Sequence, residues 1–103
     1  MMLLLFVSSG CPHCPEAKEV VKRVAPDYYD RGLEYKKIRL KTDEGKYYFS
    51  KYNVRGTPTI ILTDDDGNEK KRIVGAPSES SLRASIEKVL GVKKSLFGKI
   101  FGR

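Results

Sequence analysis

The sequence predicts an α/β domain with the element order β-α-β-α-β-β-α, a mixed four-stranded sheet and helices on both faces. Segments with apolar residues at strand spacing alternate with segments whose apolar residues recur at helical spacing. The first two predicted strands flank a helix and should therefore be parallel, whereas a short turn joins the last two and makes them antiparallel. The length of 103 residues fits a single domain with one core.

The first half of the chain supplies two strands and two helices. Residues 2–8, which are apolar up to Val7 and end at Ser8, predict a buried strand. A helix is predicted over residues 11–24, and Pro26 should kink or end it. Residues 33–40 alternate roughly between apolar and polar side chains and predict a strand, and residues 44–52 predict a short helix with three tyrosines.

The second half of the chain predicts a hairpin and a final helix. Residues 59–62 are a β-branched and apolar run, residues 65–68 supply turn chemistry, and residues 69–74 return as a strand. The acidic turn lacks the glycine and the bidentate glutamate of a calcium loop, so a plain turn is expected. Ser78 can cap the last helix, which is expected to end at Gly91.

The segment after this helix differs in charge from the predicted domain, which spans residues 1–91. Residues 92–103 form a basic, amphipathic tail that holds four of the net seven positive charges. Such a tail can contact a membrane surface or an acidic partner, although a folded helix extension or a frayed terminus is commoner. Charge alone does not identify a nucleic-acid partner, and none is expected.

The cysteine content and the hydropathy favour a cytoplasmic location. No apolar run approaches the roughly 18 residues that a membrane span requires, and the first run is shorter than a typical signal-peptide core. The two cysteines lie three positions apart, so they cannot build the disulfide framework of a small secreted domain.

A C-x-x-C motif, Cys11-Pro12-His13-Cys14, lies where the first strand meets the first helix. If Cys11 is the N-cap residue, unpaired backbone N–H groups and the helix dipole stabilise its thiolate, which makes it the nucleophile. Cys14 would be more shielded and could resolve a mixed disulfide. A protonated His13 would favour the Cys11 thiolate and stabilise the reduced form, unless its ring only faces solvent.

Two other interpretations of the cysteine pair remain open. The thiols could be buried and inert, or they could be half of a zinc site with His13 as a third ligand. A structural zinc site needs four ligands, and the chain contains no other Cys or His. The alternative to a redox enzyme is therefore a non-enzymatic interaction module or a metal carrier that uses the same pair.

Three motifs in order resemble thioredoxins over residues 2–90: the C-x-x-C after a strand, the segment Tyr52 to Leu62, and Val74-Gly75-Ala76 before the last helix. The resemblance implies a minimal thioredoxin fold. It also implies a cis peptide bond before Pro58, with the backbone of Thr57 free to pair with an extended substrate. Gly56 and Gly75 belong to the same implied substrate-binding surface.

The motif itself resembles other members of the superfamily more closely. Cys11 to Pro15 is similar to the motif of glutaredoxins and archaeal protein disulfide oxidoreductases. The dipeptide between the cysteines matches that of the bacterial periplasmic dithiol oxidase, which implies that Pro12 and His13 tune the redox behaviour.

The sequence departs from the family pattern at several positions. Leu5 stands where thioredoxins have a buried aspartate, and Gly10 replaces the tryptophan before the motif. Arg39 lies near the position of the family's buried lysine, but arginine cannot shuttle a proton. The residues from Gly75 to Ser78 lack the glycine pair and acidic residue with which glutaredoxins hold glutathione.

Together the motif and the resemblance predict a thiol-disulfide oxidoreductase. Its reversible Cys11–Cys14 disulfide would exchange with disulfide-containing proteins or small-molecule disulfides. No cofactor is expected, because the chain has no Gly-rich dinucleotide motif and no room for a flavin domain. Electrons would come from a separate reductase or a small thiol. The expected reduction potential lies between the thioredoxin value of about −270 mV and the oxidant value of about −120 mV.

Overall fold

The computed structural model describes residues 1–100, with side chains described as far as Gly91. The α/β prediction and the order of its elements are confirmed, with a 3-10 helix added after the first α-helix. The elements are β1 Met2–Val7, α1 Cys14–Val24, the 3-10 helix Ala25–Arg31, β2 Glu34–Arg39, α2 Asp43–Lys51, β3 Thr59–Thr63, β4 Glu69–Val74 and α3 Glu79–Ile100.

The four strands form one mixed sheet in the order β2-β1-β3-β4. β1 runs parallel to β2, and β3 runs antiparallel to β4, as predicted. β1 also runs antiparallel to β3, a pairing that joins the two halves of the sheet. All five residues of β3 are buried, and so are residues 3–7 of β1. The two central strands are buried on both sides because helices cover both faces of the sheet. β1 is apolar throughout, and β3 is apolar between its terminal threonines, Thr59 and Thr63.

Successive side chains of the central strands enter two separate cores. On one face, Leu5 packs with Val21 of α1 and Leu82 of α3. On the other face, Phe6 packs with Phe49 of α2, their rings in an edge-to-face contact with centroids 5.0 Å apart. The prediction of helices on both faces is therefore confirmed.

The helix boundaries show which local signals decide them. α1 ends at Val24 and the chain continues as a 3-10 helix, so the expected effect of Pro26 is confirmed. α2 begins one residue earlier than predicted because the Thr42 side chain accepts a hydrogen bond of 2.8 Å from the Gly45 N–H and caps the helix.

The predicted end of the last helix is wrong. Ser78 does cap α3, since its Oγ accepts a hydrogen bond of 3.1 Å from the Ser81 N–H. However, α3 continues through Gly91 to Ile100. Gly91 lacks the positive φ with which Gly32, at 94°, ends the 3-10 helix. A glycine inside a helix costs only about 1 kcal/mol relative to alanine, so it need not stop one.

The tail hypothesis concerns side chains of residues 92–103, which lie outside the described part of the structure. Among the described residues, no helix is both long enough and apolar enough to cross a membrane.

Candidate active site

Cys11 and Cys14 form a disulfide with their Cα atoms 5.4 Å apart, at the junction between β1 and α1. Cys14 is the first residue of α1, and only 5% of it is exposed because it belongs to the core between the sheet, α1 and α3. Cys11 packs against the edge of the same core and stays partly exposed. The sulfur of Cys11 is therefore the more accessible of the two.

The N-cap of α1 is His13 and not Cys11, so the helix begins at residue 14 rather than at residue 11 as predicted. Pro12 disfavours a helical backbone at the residue before it, which gives a local reason for the later start of the helix. The Cys14 N–H donates to the Cys11 carbonyl at 3.4 Å, which closes a turn ahead of the helix. The disulfide nevertheless holds Cys11 to the first helical residue, at the positive end of the helix dipole.

The His13 side chain points away from the core and is 72% exposed. Its Nδ1 lies 3.6 Å from a carboxylate oxygen of Glu16, one turn further along α1. The ring also makes no capping hydrogen bond. This placement matches the solvent-facing alternative, and the adjacent carboxylate would partly offset any effect of an imidazolium on the cysteines.

The loop before β3 lies beside the loop that carries the cysteines. The Thr57–Pro58 peptide bond is cis, as the resemblance implies. Extending the antiparallel register of β1 and β3 past its last pair places Ser8 opposite Thr57. The two hydroxyl groups form a hydrogen bond of 2.7 Å, which connects the two loops three residues before Cys11. Sequence analysis missed Ser8, because only the strand register identifies its partner.

The remaining predicted substrate-binding residues lie in the same place. The Gly75 N–H donates to the Pro58 carbonyl at 2.9 Å, and the φ of 93° at Gly75 is one that side-chain-bearing residues rarely adopt. Gly56 is exposed, and its carbonyl accepts a hydrogen bond of 2.8 Å from the Thr59 hydroxyl. Among the described residues, none forms a hydrogen bond with the backbone amide or carbonyl of Thr57.

The departures from the family pattern have clear structural consequences. Leu5 is fully buried, and the described core around Cys14 contains no carboxylate. Gly10 has a φ of 74°, a left-handed conformation that a bulky aromatic residue rarely adopts. Arg39 is exposed at the end of β2 rather than buried.

A groove runs from the disulfide between α1 and the end of β2, and sequence analysis missed its charge. Its lining includes four basic residues, Lys18, Lys37, Arg39 and Lys41. Burial lowers the pKa of Lys37, and the neighbouring charges of Arg39, Lys18 and Lys22 lower it further. The alternation of β2 could have indicated that residues 37 and 39 share a face, but only the packing shows that this face meets α1.

The described residues contain no group of three or more His, Cys, Asp or Glu side chains arranged to hold a metal ion. The site therefore consists of a redox-capable cysteine pair, a neighbouring loop with unpaired backbone groups, and a basic groove.

Comparisons with known proteins identify the family of this chain. The model of the thioredoxin-like domain family matches residues 1–90. A probable thioredoxin of Archaeoglobus fulgidus is 36% identical over 91 residues, which cover 88% of this chain and 91% of that protein. A thioredoxin of Methanocaldococcus jannaschii is 35% identical over 86 residues, covering 84% of this chain and 92% of the relative.

A solved structure supports the same conclusion. A variant thioredoxin of Halobacterium salinarum superposes with a TM-score of 0.71 at 31% sequence identity, covering 84% of this chain and 72% of that one. The fold is thus a minimal thioredoxin fold, and the relatives together with the cysteine pair support a thiol-disulfide oxidoreductase of thioredoxin type. The chain belongs to the thioredoxin-like domain family.

Proposed function

We propose that the protein reduces disulfides of other proteins in the cytoplasm, with Cys11 as the attacking and Cys14 as the resolving residue. The observation that carries this proposal is that the two cysteines of the disulfide differ in exposure. Cys11 is partly exposed, whereas Cys14 is 5% exposed. Attack on a bulky substrate requires an accessible thiolate, and resolution requires only a second thiol within reach of the first.

The exchange proceeds in two balanced steps. The Cys11 thiolate attacks one sulfur of the substrate disulfide, forms a mixed disulfide and displaces the other substrate sulfur as a thiolate. Cys14, after losing its proton, attacks Cys11 Sγ, forms the Cys11–Cys14 disulfide and releases the second substrate thiolate. Two electrons pass from the protein dithiol to the substrate disulfide, and the released thiolates take up protons.

The loop beside the cysteines can position an extended substrate segment. The free amide and carbonyl of Thr57 are available to pair with a substrate backbone, in the manner of strand addition. The hydrogen bond from Gly75 holds Pro58, and the Ser8 hydroxyl holds the side chain of Thr57. These contacts keep the pairing groups in place before the substrate arrives.

The oxidised protein then needs an external electron source. We propose a separate reductase or a small thiol as the donor, and no bound cofactor. The residues from Gly75 to Ser78 lack an acidic side chain that could hold the glutathione amino group, which favours a thioredoxin-type donor over glutathione. Among the described residues, the core around Cys14 provides no carboxylate to accept its proton, so we assign that role to water entering through the groove that Cys14 lines.

Equilibration with dithiol redox buffers tests the proposal. We expect one reversible two-electron couple between about −270 and −120 mV, nearer to the thioredoxin value. A potential near −120 mV would indicate an oxidant instead. If metal analysis of the anaerobically purified protein finds a stoichiometric metal ion and no reversible couple, the metal-carrier alternative is correct.

The same titration tests whether His13 tunes the cysteine pair. An imidazolium stabilises the reduced form, so His13→Gly should make the potential more negative. Because the ring is 72% exposed and faces Glu16, the change in potential should correspond to no more than the interaction free energy of an exposed charge pair. That free energy is about 0.3–1 kcal/mol, or roughly 6–20 mV for this couple. Glu16→Gln is the matched control and should shift the potential in the opposite direction. Unchanged potentials in both variants would show that neither side chain affects the disulfide.

A further inference from the structure

The groove beside the disulfide carries an excess of positive charge. Its lining includes both cysteines and four cations, Lys18, Lys37, Arg39 and Lys41. We call this groove the basic groove. Lys18 and Lys37 are half-buried, whereas Arg39 and Lys41 are exposed. The charge of Lys22 also acts on Lys37, so the positive region continues one turn further along α1.

The cations of the basic groove have no ion-pair partner among the described residues, whereas many cations elsewhere on the surface do. Lys36 lies 2.9 Å from Glu44 on the opposite face of β2, and Arg83 lies 2.9 Å from Asp27 beside α3. In the groove, every charge that acts appreciably on Lys37 is positive. An approaching anion would therefore meet attraction there without displacing an internal carboxylate.

The length of the positive region favours a polypeptide as the anion. Lys22 follows Cys14 by eight positions on α1, a rise of about 12 Å at 1.5 Å per residue. An extended chain advances about 3.3 Å per residue, so about four residues of a substrate bound at the disulfide would reach Lys22.

We propose that the basic groove binds an acidic segment of the disulfide-containing substrate protein, within about four residues of the cysteine under attack. This inference rests on the proposed function, which brings the substrate cysteine to Cys11. The groove would then select substrates by charge, while Thr57 pairs with the substrate backbone irrespective of side chains.

Symmetric peptide disulfides test the proposal with the full-length reduced protein. One peptide carries three aspartates within four residues of its cysteine, and it is made in two versions, with the aspartates either before or after the cysteine. The matched peptides carry asparagines at the same positions. At an ionic strength of about 10 mM the acidic peptide should be reduced about tenfold faster, and the ratio should approach one at about 0.5 M. Equal rates at low ionic strength would overturn the proposal.

Two double variants with the same change in net charge locate the effect. Lys37→Gln with Arg39→Gln should lower the acidic-to-neutral rate ratio to about threefold or less. Lys71→Gln with Lys88→Gln, which change residues at the opposite end of the sheet, should leave the ratio unchanged. Equal losses in both variants would show that net charge rather than the groove causes the preference, and would overturn the proposal.

Glutathione disulfide serves as a small anionic probe. If the groove variant slows its reduction as much as that of the acidic peptide, the occupant is a small anionic disulfide and the protein-segment proposal is wrong. Failure of the proposed function is distinguishable, because then the neutral peptide would not be reduced either. In that case, fluorescence anisotropy with cysteine-to-serine versions of the peptides measures binding without the reaction. Only salt-sensitive binding of the acidic version would then support the basic groove as the binding site of an acidic segment.

Discussion

A Cys14→Ser variant is expected to accumulate mixed disulfides between Cys11 and its substrates, whereas Cys11→Ser should trap none. Cys11 is accessible and would still attack, but the buried residue that resolves the intermediate would be missing. Multiple-turnover reduction of a peptide disulfide should fall to background in both variants. Mass spectrometry under non-reducing conditions measures the trapped species directly, and a reductant should release it.

Alkylation of the reduced wild-type protein provides an independent check. An accessible thiolate reacts faster than a shielded thiol, so iodoacetamide at neutral pH should label Cys11 first. Faster labelling of Cys14 would reverse the assigned roles, and so would mixed disulfides that accumulate only in Cys11→Ser.

The fold was predictable because its strongest signals are local and periodic. β1 is apolar throughout and β3 is apolar from Ile60 to Leu62, and their buried position between two helical layers explains why no alternation is visible in them. The apolar spacing of α1 is preserved in the structure, where residues 17, 20, 21 and 24 are all buried. Pro26 marked the end of α1 correctly, since a proline inside a helix removes a backbone donor.

The site was predictable only in part. The C-x-x-C motif and the resemblance indicated the disulfide, but the choice between Cys11 and His13 as the N-cap depends on backbone angles that spacing does not specify. The bond from Ser8 to Thr57 joins residues 49 positions apart and depends on the register of β1 with β3. The basic groove likewise forms only when β2 packs beside α1, so its cations appear in the sequence as ordinary surface residues.

Restoring the family's carboxylate at position 5 is expected to destabilise this protein strongly. Leu5 is fully buried among apolar side chains, so Leu5→Asp loses core packing and buries a carboxyl group. The packing loss alone should resemble that of other leucine truncations, about 2–5 kcal/mol. Burial disfavours the ionised form and raises the pKa of the introduced carboxyl above its unfolded value of about 3.9.

The pH dependence of unfolding distinguishes the charge from the packing loss. Between the unfolded and the raised folded pKa, the folded state binds more protons, so the stability of Leu5→Asp relative to wild type should fall as pH rises. The slope approaches about 1.4 kcal/mol per pH unit above pH 4 and vanishes above the folded pKa. Urea unfolding of both proteins at pH 4 to 7 measures the difference. Asparagine is similar to aspartate in shape and polarity but has no titratable group, so the stability that Leu5→Asn loses relative to wild type should be independent of pH. A flat profile for Leu5→Asp as well would mean that the carboxyl reaches water. The core beneath Cys14 would then be open enough to hold an ionised acid, contrary to the full burial of Leu5.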